Sequence, residues 1–593
     1  MTVYNKASLV LAESPAYKAG KIQPYYPLTP DVSFDFTRST SATRVNADGN
    51  IEKETQNLLV QSNTFDTTWS LLNSQVTSGQ SGYDGSSDAW LLERSGSGAN
   101  VFIRSTTITA SGICTISIYA KADNSNWLVI QDSGSSNVLC YFDLSNGTLG
   151  FASPAIIDKQ ITSIGNGWYR CSITTNRSSG LVQFYVATAN QSLSGASDAA
   201  LYIQDAQLEQ GLVARNYQET TTAAFYGGIT DNIPRLDYTD SSCPALLLEP
   251  QRTNSANYSE YHSSGDYLNN YVSVIDNEAI SPEGIQNAAK IVLDSGTNSI
   301  NGGHYLTNAS TPSQKYTISV FAKAAGYRYF TFTYGSTNAA GGHFDLQEGV
   351  KLGDITNAQY TNTSASIEDY GDGWYRLIVS VTDTSSAGRY LSMRPSPTAS
   401  VPSNNNYSST GDGTSGAYIY GFQLEIGENY ATSYIPTYGT SVTRNADAFQ
   451  NSTNDKPLGA IGQGTWFVEL QKLGDDTNQA LYLAPTTSNT QQIRLHFDVT
   501  NARFRDAVNG YATIGGGVNV KTSMTKMALS IDTTSGIAKV YVNGSQLGSD
   551  YTLQANTFEF SRIVAEGKGF ILKQSLFFPT ALTDDECVAL TTL

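Results

Sequence analysis

The string TISIYAKA at 115–122 returns as TISVFAKA at 317–324, and three further strings recur in the same order. FDL at 142–144 returns at 344–346, GNGWYR at 165–170 as GDGWYR at 371–376, and QLEQG at 207–211 as QLEIG at 423–427. The offset between copies grows from 202 to 206 to 216 residues, so the second copy gains four and then ten residues without losing the order. Such a chain folds as a tandem pair of similar modules, each of roughly 170 residues, an ordinary domain size.

Short alternating runs between Gly, Asn, Asp and Ser turns dominate, and long amphipathic helical patterns are nearly absent. That is the signature of all-β sandwiches and jelly rolls. In the first copy Ile116, Ile118 and Ala120 share one face of a strand, with Ser117, Tyr119 and Lys121 opposite. The second copy places Ile318, Val320 and Ala322 against Ser319, Phe321 and Lys323. Substitutions that respect the two faces predict a half-buried strand in both copies.

The flanking sequence divides the chain. Residues 1–55 are expected to form an extended N-terminal arm, with PYYPLTP at 24–30 excluded from a central strand by its prolines. The stretch VSFDFTRSTSATRVNADGNIEKE reads as strand, turn and strand, and NADGN at 46–50 as a hairpin turn rather than a calcium loop. Jelly-roll modules are expected at 56–220 and 256–437, a connector at 221–255 and a linker at 438–450. Phe34, Phe36 and Leu246–Leu248 mark these connecting pieces as segments lying against neighbouring domains or partner chains. The polar stretch 395–416, which holds the larger insertion, is expected to be a surface loop. From 451 to 593 a third all-β domain follows, with a tight hairpin at Asn543-Gly544 and one short helix opened by Thr583 and Glu586.

Only 15% of the 593 residues are charged, whereas Tyr alone numbers 36. Ordinary globular chains carry about 25% charged residues, so Ser, Thr, Asn, Gln and Tyr must cover much of this surface. A net charge of −17 argues against a general nucleic-acid binder. The five Cys include no CxxC pair; Cys114, Cys140 and Cys171 fall in strand-like runs and read as reduced core thiols. The first twenty residues lack a signal-peptide pattern, and no apolar run is long enough for a membrane helix. Synthesis in a cytoplasm, without membrane insertion, is the expectation.

The segment KMALSIDTTSGIAKVYVNGSQLGS, followed by FFPTALTDDECVAL, resembles the laminin-G-like, concanavalin-A-type lectin sandwich. The duplicated module, with its opening QNLLVQSNTFDTTW and its S-x-Y/F-A-K-A, G-x-G-W-Y-R and Q-L-E strings, resembles carbohydrate-binding jelly rolls of the galactose-binding-like kind. FTRSTSATRVNADG, PRLDY, CPALLLEPQRTN and SYIPT…TR together resemble fibre or appendage proteins of tailed-phage virions. These resemblances imply a structural virion protein whose arm docks to other virion proteins and whose β domains bind host-surface polysaccharide. As fibres are commonly trimeric, they also imply a homo-oligomer.

Aromatic rings beside amides and hydroxyls are what neutral glycans need, which singles out Trp127, Tyr327 and Tyr329 as candidate sugar contacts against plain strand packing. Trp168 and Trp374, in G-x-G-W-Y-R, read as core aromatics after a turn. Glu209 and Glu425 close the two copies. In the jelly rolls they resemble, an acid at this place often helps hold a structural calcium; the plainer reading is a solvated strand charge. The four His are scattered, and neither HExxH nor GxSxG occurs, so no enzyme is expected. The rival readings are a purely structural capsid or tail decoration and a capsule depolymerase.

Overall fold

A computed structural model describes residues 3–11, 16–18, 20–23, 34–239, 242–298, 303–309, 311–385, 388–404, 407–427, 429–451, 463–474, 479–484, 493–498, 501–506, 512–554, 562–566 and 569–592. The PYYPLTP segment lies outside them. The chain is all-β, with one α-helix among the described residues, Asp584–Thr591.

Each repeat is a sandwich of two six-stranded antiparallel sheets. In the first copy one sheet centres on Gly112–Ala122, flanked by Trp168–Arg177 and Ala200–Gln210. The other centres on Trp127–Asp132 and Val182–Ala187. The second copy repeats this with Gln314–Ala325 between Tyr375–Asp383 and Gly416–Ile426, and with Tyr329–Gly335 beside Gly388–Ser396. Ile116, Ile118, Leu128, Ile130, Phe142 and Phe184 fill the first core; Ile318, Val320, Phe330, Phe332 and Phe344 fill the second.

The central strands are not half-buried as the alternation suggested. Ser117 and Tyr119 are as hidden as their inward neighbours, and so are Ser319 and Phe321. Alternation reports the sandwich core but not a second covering layer. In each copy the chain after Q-L-E folds back over the outer face, and polar side chains there bond to it.

The pieces before, between and after the repeats supply strands to the C-terminal sandwich. Leu9–Leu11 and Ala245–Leu248 both pair with Phe570–Phe578, in registers that set Leu9 against Phe577 and Leu247 against Ile571. Phe34–Thr37 pairs with Ala448–Asn451, which in turn joins Arg562–Glu566 of the opposite sheet. The described part of the expected arm is thus built into its own chain. The physical reason is the alternation itself: Phe34 and Phe36 point inward past Asp35 and sit with Leu9, Leu11, Leu246 and Leu248 in one core with Trp466 and Phe570. Burying each of these side chains contributes roughly 1.5–3 kcal/mol.

Local signals in the third domain take the form the sequence gives them. Asn543 and Gly544 both have positive φ, 45° and 82°, as a tight primed hairpin requires. Thr583 and Glu586 form a reciprocal capping box at the helix start.

Where arm, connector and linker meet, five charged side chains are buried together. Arg38 bonds Asp447 at 3.0 Å, Arg235 bonds both Asp447 and Glu249, and Arg444 bonds Glu249. Three guanidiniums share two carboxylates, and the surplus donors go to the carbonyls of Thr40, Thr230, Thr43 and Pro250. Burial by itself raises the Glu249 carboxyl, but Arg444 and Arg235 more than offset this and hold it below the usual carboxylate range. Nearby, Lys53, just after the hairpin Arg44–Glu52, reaches Glu260 at 2.6 Å and Glu283 at 3.0 Å, and Arg215 of the first copy reaches Glu283 at 2.7 Å.

Three outcomes are expected. A fragment spanning 451–593, lacking the three intruding segments, should show no cooperative urea transition by circular dichroism, while the full chain does. Asp447→Ala leaves two guanidiniums short of a counter-charge and should cost about 3–5 kcal/mol in chemical denaturation. Because the folded-state Glu249 is depressed, its contribution is present above the unfolded value of about 4.3 and fades as pH falls below it; an acid titration of wild-type stability should show that loss.

Candidate functional site

The repeated strings converge on one device. The G-x-G turn before Trp168 runs through three left-handed residues, Gly165, Asn166 and Gly167, and Gly371, Asp372 and Gly373 do the same in the second copy. This tight reversal starts the strand on which Arg170 and Arg376 sit. Arg170 bonds the Ser117 hydroxyl and the Arg215 carbonyl; Arg376 bonds the Ser319 hydroxyl at 3.0 Å and the Thr432 carbonyl at 2.7 Å. Gln207 and Gln423 reach the same returning segments.

Glu209 and Glu425 belong to this lock. Glu209 accepts from Arg215 N at 2.9 Å and from the Gln207 amide at 2.6 Å, and Glu425 from Thr432 N at 3.0 Å and the Thr432 hydroxyl at 2.5 Å. Both are 1% exposed, so neither is a solvated strand charge. Burial pushes the Glu209 carboxyl up against the pull of Arg215. Calcium takes about six to eight oxygen ligands, and these carboxylates, already taken up by N–H and O–H donors, do not fit that role. Among the described residues no group of three or more His, Cys, Asp or Glu could hold a metal ion. Trp168 and Trp374 are buried on the outer face of the same sheet, Trp168 beside Tyr119 and Tyr83, Trp374 beside Phe321 with its indole N–H on the Ile280 carbonyl. Replacing Arg376 by Ala leaves the Thr432 carbonyl only the long 3.4 Å bond from Gln423 and should lower stability by roughly 1–3 kcal/mol, read by thermal and urea unfolding, with sugar binding unchanged.

Two of the three aromatic candidates, Trp127 and Tyr329, lie on the opposite sheet of their copies, and Tyr327 lies in the turn that leads to it. Trp127 pairs with Asp143, and Tyr329 with Asp345, so these two occupy one position of the repeat. The constant offset of 202 between the neighbouring strings carried this equivalence. Tyr327 stands apart from that row: half-buried against the core, its hydroxyl accepts from Asp412 N at 3.2 Å.

Around Trp127 the outer face carries two rows set by register. Leu72, Phe102, Tyr185, Val129 and Tyr141 lie side by side across five strands, and Arg104, Gln183, Gln131 and Leu139 form the next row. The Tyr185 hydroxyl lies 2.6 Å from the Gln131 side-chain amide oxygen and 3.2 Å from that of Gln183. Gly150 leaves room for the indole, since a Cβ there would run into the Trp127 ring. The segment after Ala187 crosses this face. Arg94 pins it through the Leu193 and Ala196 carbonyls, and the Asn190 side chain accepts from Phe151 N at 2.8 Å. The middle of the aromatic row is thereby buried, leaving Trp127 half-buried and Phe151 and Leu72 exposed at 40% and 41%. The sequence singled out Trp127 alone. Tyr141, Tyr185, Gln131 and Gln183 carried the signal of alternation within WLVIQD, VLCYFD and VQFYVA.

In the second copy the matching row is polar. Arg394, Thr331 and His343 stand where the first has Tyr185, Val129 and Tyr141. The inserted segment closes over them: Tyr407 stacks 4.0 Å from the Arg394 guanidinium and bonds Thr331 at 2.7 Å, and the Thr398 carbonyl meets His343 at 3.0 Å. Tyr329 is half-buried, under Arg328 and beside His343.

No family model matches the chain, and no curated protein matches it. Among solved structures it is similar to the CBM40 of a Ruminococcus gnavus IT-sialidase bound to alpha2,3 sialyllactose. That match has 15% identity over 22% of this chain and 84% of that one, with a TM-score of 0.19. It is also similar to the N-terminal CBM22-1-CBM22-2 tandem of Xyn10C from Paenibacillus barcinonensis, with 12% identity over 62% of this chain and 97% of that one and a TM-score of 0.17.

Proposed function

We propose that this chain is a non-catalytic, glycan-binding structural protein of a tailed-phage virion appendage, and that the outer sheet of the first copy is the face that meets the sugar. The observation that supports the sugar face most directly is the pairing of accessible ring with amide: Trp127 and Phe151 reach the surface beside the Asn190 side chain. A sugar ring needs an apolar face to stack on and amides to bond its hydroxyls. In the second copy the matching row is polar and capped by Tyr407. One weak site per chain then gains strength from many copies on one particle, because each tethered site sees a roughly millimolar effective concentration.

The particle assignment rests on the phage-like strings of the arm, connector and linker. In this reading the described strands of the arm serve the chain's own C-terminal sandwich, and contacts with other particle proteins fall to other surfaces.

The test is a glycan array with whole-cell binding, using the full chain. Trp127→Ala combined with Phe151→Ala should weaken binding by about tenfold or more, equivalent to about 1.4 kcal/mol, while Tyr329→Ala leaves it unchanged. Absence of any cell or sugar binding by the wild-type chain would leave only the structural-decoration reading standing. Release of reducing ends from capsule would instead make it a depolymerase.

A further inference from the structure

A cavity of about 380 Å³ lies where the arm, the first copy, the start of the second copy and the linker meet. That volume is within the range of about 300–1,000 Å³ typical of small-molecule sites. Its rim is exposed, with Ser111 and Asn176 from the first copy and Thr440 from the linker; deeper in, Gln56 is 8% exposed. The cations in its wall are committed elsewhere. Lys53 is held by Glu260 and Glu283, Arg177 by Asp132, and Arg444 by Glu249. What the cavity offers is therefore amide, hydroxyl and phenol, plus one carboxyl. Gln56 and Gln210 meet only at the long distance of 3.4 Å, and the amide of Asn176 donates to the Tyr258 hydroxyl at 3.0 Å. Glu54 bears the carboxyl, which burial raises.

We propose that this cavity binds a neutral, hydroxyl-rich ligand of one or two sugar rings, with Gln56, Gln210 and Glu54 taking its hydroxyls and the Tyr258 ring covering an apolar face. The assignment follows from chemistry. Paired cations leave nothing to attract an anion, and the lone carboxyl repels one, whereas amides and a carboxyl accept and donate to vicinal hydroxyls. Because the walls come from four separated segments, an occupied cavity also ties the first copy to the arm and the linker.

This site shares no residue with the Trp127 face, so the two can be tested apart. Saturation-transfer NMR on the full chain would use glucose, galactose and N-acetylglucosamine, with glucuronic acid as the charged counterpart. Saturation should pass to at least one neutral sugar and fall by about tenfold or more in Ser111→Trp and in Thr440→Trp, two exposed rim positions chosen so that one can fold if the other does not. The Trp127→Ala, Phe151→Ala double variant should keep this signal even if it loses cell binding. Transfer to none of the neutral sugars, or transfer unaffected by both rim blocks, overturns the site. Stronger transfer to glucuronic acid overturns the ligand class.

Discussion

Everything beyond the two repeats hangs on the buried ionic cluster of Arg38, Arg235, Glu249, Arg444 and Asp447. Its members come from the arm, the connector and the linker, pieces separated in sequence by an entire repeat or more. Ions buried this deeply are costly unless paired and hydrogen-bonded, so the cluster tolerates only one arrangement of those three segments. That arrangement delivers Phe34, Phe36, Ala245–Leu248 and Phe449 to the C-terminal sandwich in register. Apolar burial provides the driving force, and the ions decide which strands may supply it.

The duplication separates what is conserved in the module's construction from what is free to differ. The lock built from S-x-Y/F-A-K-A, G-x-G-W-Y-R and Q-L-E bonds in the same way twice, down to the serine hydroxyl and the returning carbonyl. Asn57 and Asn254 repeat the pattern, each with its side-chain oxygen on two backbone N–H groups and its amide on two carbonyls. The opposite sheet diverges, with Tyr185, Val129 and Tyr141 in one copy against Arg394, Thr331 and His343 in the other. Shared residues thus hold the returning segment down, and differing residues decide what the other face can touch.

The parts of this architecture that are local were legible in the sequence. The repeats, the strand alternation, the Asn543-Gly544 hairpin and the Thr583 capping box all depend on residues a few positions apart. The NADGN hairpin is equally local, with the Asn46 side chain accepting from Asp48 N and Asn50 N. Pairing of Leu9 with Phe577 was not legible, because nothing in a three-residue strand names a partner more than 500 residues away. Burial of Glu209 and Glu425 was hidden for a related reason. Their partners, Arg215 N and Thr432 N, are backbone groups that carry no sequence signature. Of the candidate sugar face, Trp127 was visible as a lone aromatic, whereas its row exists only once the strands are laid side by side.

Closing the chain's two ends together also sets the order in which it can become native. Each repeat holds its sandwich core within its own span, with only the outer-face cluster of the second taking in Ile51 of the arm, so each sandwich can fold as it emerges. The third sandwich cannot, because Leu9–Leu11 and Phe34–Thr37 must wait for strands at 448–451 and 562–578. Until then those apolar strands have exposed edges, which invites pairing with other chains. Loop-closure entropy grows only slowly with length, and two prefolded repeats shorten the effective loop further. The duplicated module therefore serves as a spacer that brings arm, connector and linker to one place. The cavity among Gln56, Asn176 and Thr440 is the gap that this convergence leaves open.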